Sequence, residues 1–187
     1  MINQLDRLLA AYCSPTLAGI KPASLVCCDD KLYPDLLQRL AEYRTAFAPR
    51  GMYFEIVCAC RGRYLLLVYH RAQLEQRLSD PRVKRVMERF GYPVDRSLAE
   101  LLERLKERIA MCDAFPHEIG LFLGYPIEDV VGFIRNQGRG CKLSGYWKVY
   151  GDPEAASRLF ERLSRVCQAV TRRIERGESL LAVFAAA

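Results

Sequence analysis

YFEIVCACRGRYLLLVY, residues Tyr53 to Tyr69, decides the fold class. Phe54, Ile56, Cys58 and Cys60 alternate with Glu55, Val57 and Ala59, the period of two that sends successive side chains to opposite faces of a strand. Arg61-Gly62-Arg63 then links to Tyr64–Tyr69, and three residues with a central glycine suit a hairpin with a bulge. The second strand is apolar on both faces, which places it centrally in a sheet covered on both sides.

Outward from the hairpin the chain alternates helices and short strands. Leu5, Leu8, Leu9 and Tyr12 give a first helix over residues 3–12, and Pro15 disfavours helix at Ser14, leaving 13–21 as a loop. Ala23–Cys28 reads as a buried strand closed by Asp29 and Asp30. A helix from Pro34 turns Leu36, Leu37, Leu40 and Phe47 inward and stops at Pro49 and Gly51. Beyond the hairpin come a short helix over 72–78 and one capped by Asp80 with Pro81 at its start. A third is opened by a Ser97/Glu100 capping box.

Pro116 starts a helix to Leu123, Gly124 turns the chain, and Pro126 starts another to Asn136. In that second helix Glu128 and Asp129 complement the helix dipole. Tyr146–Tyr150 reads as a strand with Trp147 in the core. Asp152-Pro153 opens the last long helix, and Leu180–Phe184 is a final strand or a packed tail. The expected architecture is one α+β domain over residues 1–187. Its mixed sheet is centred on about 53–69, with helices on both faces.

Composition narrows the function class. A chain of 187 residues with 51% hydrophobic and 27% charged residues is ordinary globular material. Its apolar runs are too short to span a bilayer. The N-terminal MINQLDRLLAAYC lacks a basic leader, so the expectation is a cytoplasmic protein without a membrane partner. Eight cysteines (Cys13, Cys27, Cys28, Cys58, Cys60, Cys112, Cys141, Cys167) contain no CxxC pair, so no metal is expected. Cys58 and Cys60 share a strand face and read as small hydrophobes. The net charge of +6 is arginine interleaved with glutamate, a solvated pattern that disfavours nucleic acid without removing it.

Four constellations carry possible chemistry. Cys13, before a proline, and His117, one of two histidines, are the elements of a thiolate–imidazole pair, with Glu118 or Asn136 to orient the ring. In the 13–21 loop, Thr16, Gly19 and Lys21 can hold an anion through a hydroxyl, backbone N–H groups and an ammonium. Ile119–Phe133 has the small Gly120 and turning Gly124 of a helix-turn-helix, but Glu128 and Asp129 at the second helix would face phosphates. Tyr146, Lys148 and Tyr150 share one face of their strand, so Lys148 between tyrosines is either a ligand wall or a snorkelling side chain.

Three phrases carry a resemblance: CSPTLAGIKPASL (13–25), FPHEIGLFLGYPIEDVVGFI (115–134) and GYWKVYGD (145–152). In this order they resemble an uncharacterised bacterial family, the domain-of-unknown-function 3793 family, found mostly in anaerobic Firmicutes and relatives. The resemblance implies a stand-alone bacterial domain of this size. It brings no activity, cofactor or catalytic residue, and residues 71–112 contain no phrase of the family.

The leading expectation is therefore a domain binding a small molecule or anion. Its cleft would form from the 13–21 loop, the start of the 117 helix and the 145–150 strand, with Thr16, Gly19, Lys21, Glu118, Asn136, Tyr146 and Lys148 as ligand-binding residues. A thiol hydrolase or transferase using Cys13 and His117 is the alternative. A nucleic-acid or protein-binding module using the 117–136 hairpin is the second. The cofactor, the reaction, the oligomeric state and the ligand's identity are left open by the sequence.

Overall fold

The computed structural model describes residues 3–111 and 115–185, so Cys112 lies outside the described residues. The chain is α+β. In order it runs α1 (Gln4–Leu17), β1 (Ala23–Asp29), α2 (Leu36–Phe47), a 3-10 turn (Ala48–Arg50), β2 (Met52–Cys60), β3 (Arg63–His70), α3 (Arg71–Ser79), α4 (Pro81–Glu88) and α5 (Leu98–Met111). There follow α6 (Ile119–Phe122), α7 (Ile127–Asn136), β4 (Leu143–Ser144), β5 (Lys148–Val149), α8 (Pro153–Glu175) and α9 (Leu180–Ala185). These gather into two compact units, one of Met1–Ala72 with Leu163–Ala187 and one of Gln73–Arg162.

The first unit is built on the hairpin that the sequence marks. Its sheet has the order β1-β3-β2, with the doubly apolar β3 in the centre as expected. The sheet is antiparallel throughout instead of mixed: Ala23 pairs with Tyr69 and Asp29 with Arg63 on one side, and Met52 with His70 on the other. The hairpin turn is also tighter than three residues. Cys60 pairs with Arg63, and only Arg61 (φ 50°) and Gly62 (φ 72°) lie between the strands, since two consecutive positive φ values match the twist of antiparallel strands. The register irregularity sits instead between Ile56 and Cys58, where one extra residue bends the strand.

One sheet face carries Val26, Cys28, Phe54, Leu66 and Val68. These pack with Leu5, Leu9 and Cys13 of α1, Leu36, Leu40, Tyr43 and Phe47 of α2, and Val170, Ile174 and Phe184 near the C-terminus. The buried set on α2 recurs at helical spacing, and Leu37 falls off that stripe and is 59% exposed, contrary to the inward position expected of it. Asp6 is buried among these helices. It accepts hydrogen bonds from the Tyr43 hydroxyl and from the backbone N–H of Leu180 (3.0 Å), joining α1, α2 and the start of α9. Burial, then Asp6 itself, pushes the Tyr43 phenol well above its ordinary pKa.

Four local expectations change, one being the strand expected over 146–150, which is only Lys148–Val149. The first helix does not end at residue 12; it continues through Pro15 to Leu17. Proline removes one N–H from the last turn, whose acceptor, the Ala11 carbonyl, belongs to a partly exposed residue. Leu180–Phe184 is helical, since a short apolar run fits either element by period alone. Its start is set by Ser179, whose hydroxyl accepts from Ala182 N (3.1 Å). The helix expected over 116–123 is only the four residues of α6.

The second unit opens with α3, α4 and α5, which follow their sequence signals closely. Asp80 accepts from Arg82 N (2.8 Å) ahead of Pro81. Ser97 and Glu100 exchange the two bonds of a capping box. Leu98, Leu101, Leu102 and Leu105 form the buried stripe of α5.

Candidate functional site

The site of interest lies within the second unit, where α6, α7 and the β4–β5 hairpin meet. Gly120 is placed so that an added Cβ would stand 2.9 Å from Val130 Cγ2 and 3.0 Å from a Tyr125 ring carbon. That close approach lets the short α6 lie against α7. Arg77 of α3 fixes the turn between them, donating to Tyr125 O (2.5 Å) and Leu121 O (3.4 Å).

Asp129, in the first turn of α7, is buried and organises the hairpin. Its Oδ1 accepts from the backbone N–H groups of Tyr150 (2.7 Å) and Gly151 (2.8 Å), and its Oδ2 accepts from Trp147 Nε1 (2.7 Å). A buried carboxylate taking three N–H donors is well satisfied and strongly directional. One turn along, Gly132 would place a Cβ 2.5 Å from Tyr150 Cβ, so bare backbone is what lets the hairpin seat on the helix.

The seated hairpin and the two helices line a cavity of about 390 Å³ that opens to solvent. Tyr125, Phe133, Tyr146, Trp147, His117 and Lys148 are among its walls. The aromatic walls brace one another: Tyr125 stacks on Trp147 at 4.7 Å between ring centroids, and Phe160 of α8 meets Trp147 edge-on at 4.5 Å. His117 sits edge-on to Phe133 at 4.6 Å. Lys148 Nζ donates to Gly138 O (2.7 Å) and lies 5.8 Å from the centre of the Phe133 ring. An ammonium has three N–H groups, so further acceptors can be met from the same position. Burial raises the Tyr125 pKa, keeping the phenol neutral. The chemistry on offer is an aromatic slot with cationic and imidazole groups at its wall.

A family model described as "Protein of unknown function (DUF3793)" matches residues 9–184. The chain belongs to the DUF3793 family. No curated protein and no solved structure matches it.

In this DUF3793 chain the residues expected at a site fall into both units. Of those in the second unit, His117, Tyr146 and Lys148 line the cavity. Glu118 does not line it; buried, it is ion-paired with Arg108 and accepts from the Tyr92 hydroxyl (3.3 Å). Asn136 donates to Gly132 O (2.8 Å) within its own helix and is exposed. Trp147, expected in the core, is only partly buried and forms a cavity wall.

The other four lie in the first unit of the DUF3793 chain: Cys13 and Thr16 are in α1, and Gly19 and Lys21 follow it in the turn before β1. Cys13 is wholly buried in α1. Burial pushes its thiol far above the ordinary value, the opposite of what activates a thiolate. Thr16 is buried with its hydroxyl 2.8 Å from Ser24 Oγ. Gly19 (φ 69°) follows the end of α1. Lys21 is partly buried, and desolvation lowers its pKa to about 8 against an opposing pull from Cys13.

Sequence reasoning assigned Asp129 to the helix dipole, used Phe133 only as an apolar position of the helix-turn-helix reading, and gave Tyr125 no role. The signal that could have found them is spacing. Asp129 and Phe133 are one turn apart on α7, so the acid lies on the same side as the ring. Among the described residues no His, Cys, Asp or Glu cluster suits a metal, and no helix is long and apolar enough to cross a membrane.

Proposed function

We propose that this is a cytoplasmic bacterial protein that binds a small anionic organic molecule with a planar apolar body in the cavity of its second unit. The observation that carries the reading is the wall composition. Tyr125, Phe133, Tyr146 and Trp147 supply ring faces, while Lys148 and His117 supply the polar end. A slot of about 390 Å³ suits a ligand of metabolite size. The seven described cysteines are all free, in keeping with a reducing compartment.

Trp147 is the single tryptophan of the chain, so intrinsic fluorescence reports on the cavity directly. Phenylacetate and related aromatic acids are expected to change its emission saturably and to bind more tightly than phenylacetamide. Lys148→Ala should weaken the acids about tenfold, equivalent to ~1.4 kcal/mol, and leave the amide nearly unaffected. A flat emission across the series, or equal losses for acid and amide, refutes the reading.

A further inference from the structure

Outside that cavity, the first unit carries a pair of thiols that its core does not use. The register irregularity between Ile56 and Cys58 comes just before Cys58 and Cys60, which, two residues apart on a strand, emerge on one face. Their sulfurs are 3.4 Å apart, with the Cys58 thiol directed at Cys60 Sγ. Cys60 is exposed and Cys58 partly so. The next residues are the exposed Arg61-Gly62-Arg63 turn, and Arg63 pairs with Cys60 across the hairpin.

We propose that Cys58 and Cys60 form a surface dithiol site that reduces small, negatively charged disulfides by thiol–disulfide exchange. Cys60 is the attacking thiol, since it is exposed and accepts the Cys58 S–H, and the arginines of the adjoining turn give the surface a positive charge that suits an anionic partner. Cys58 is the resolving thiol. Burial first, then its bond to Cys60, raises its pKa, so it keeps its proton until the second step.

In the first step Cys60 S⁻ attacks one sulfur of a disulfide RSSR, forming Cys60–S–SR and releasing RS⁻. In the second, Cys58 gives its proton to solvent or the released thiolate and attacks Cys60 Sγ. This forms the Cys58–Cys60 bond and releases the second RS⁻. The two protein thiols lose two hydrogens, and RSSR is reduced to two thiols. The 3.4 Å separation means the second step needs only a side-chain rotation along a strand already bent, and the site is regenerated by any excess of small thiol.

The sequence makes the test clean. Cleavage after Arg50 and Arg61 yields Gly51–Arg61, which contains Cys58 and Cys60 and no other cysteine. The full chain is treated under native conditions with oxidised glutathione, then alkylated, digested and weighed. The expected Gly51–Arg61 peptide has lost two hydrogens and takes up no alkylating agent, whereas exposed Cys27 carries at most a glutathione adduct. Cys58→Ser should trap a lasting glutathione adduct on Cys60. Cys60→Ser should slow reaction at Cys58 about tenfold or more. Uncharged hydroxyethyl disulfide should react more slowly than oxidised glutathione at low salt, the gap closing as salt rises. Both serine variants alter surface groups, and matching circular dichroism verifies their folding. Persistent adducts in the unmodified chain, or an unreactive Cys60 in Cys58→Ser, overturn the proposal.

Discussion

Asp129 commits both carboxylate oxygens to one short segment, the turn from Trp147 to Gly151. Asp129→Asn keeps the shape but replaces an oxygen with an NH₂ that must face an N–H donor. Charge-assisted bonds of this kind contribute about 1.5–3 kcal/mol each, so a loss of roughly 2–4 kcal/mol in denaturant unfolding is expected. Trp147 emission should shift to the red as the hairpin loosens; unchanged stability would show that the three bonds are dispensable. Lys21 gives a prediction in pH. Its folded pKa of about 8 lies below the ordinary 10.5, so between those values the unfolded chain holds a proton that the folded chain does not. The contribution of Lys21 to stability therefore rises with pH across that window, and below pH 8 the full cost of burying the charge remains. Relative to Lys21→Met, the unaltered protein should gain about 2–3 kcal/mol between pH 8 and 10.5, because the tyrosines titrate alike in both proteins and cancel. Parallel pH curves would remove Lys21 from the account.

Among the elements, α7 is where two physical effects compete most openly. Gly132 sits in the middle of that helix, and helix propensity alone makes Gly132→Ala stabilising by about 1 kcal/mol. The added methyl, however, would stand 2.5 Å from Tyr150 Cβ, close to the hairpin backbone instead of a mobile side-chain tip. Overpacking of this type costs about 1–3 kcal/mol, so the expected outcome is net destabilisation together with a changed Trp147 signal. A gain in melting temperature would mean that the hairpin moves freely on α7. The same comparison explains what the sequence could convey. The alternation of β2, the proline and capping-box starts of α4 and α5, and the stripe on α2 are local signals, and each produced its element. The continuation of α1 through Pro15 and the helical α9 were not legible, because neighbours decide them: Ser24 meets Thr16, and Asp6 meets the start of α9.

For the molecule as a whole, the class α+β and the central place of β3 follow from patterning that is repeated along each strand. The candidate site was legible only in part. His117, Tyr146 and Lys148 were identified by residue type, and the structure brings them to one cavity. Asp129, Tyr125 and Phe133 were not, since what distinguishes them is the three-dimensional seating of the β4–β5 hairpin, which no local period encodes. The two units also differ in how the chain supplies them. One is drawn from the continuous stretch Gln73–Arg162, and the other from both ends of the sequence, which Asp6 ties together across 174 positions. On a ribosome this imposes an order. The helices α1 and α2 and the three strands leave the exit tunnel first, and the whole stretch Gln73–Arg162 is made before Val170, Ile174 and Phe184 can complete their core. For the remainder of synthesis the apolar face of β1, β2 and β3 waits incomplete, and that nascent face is where a chaperone would bind and where aggregation would begin.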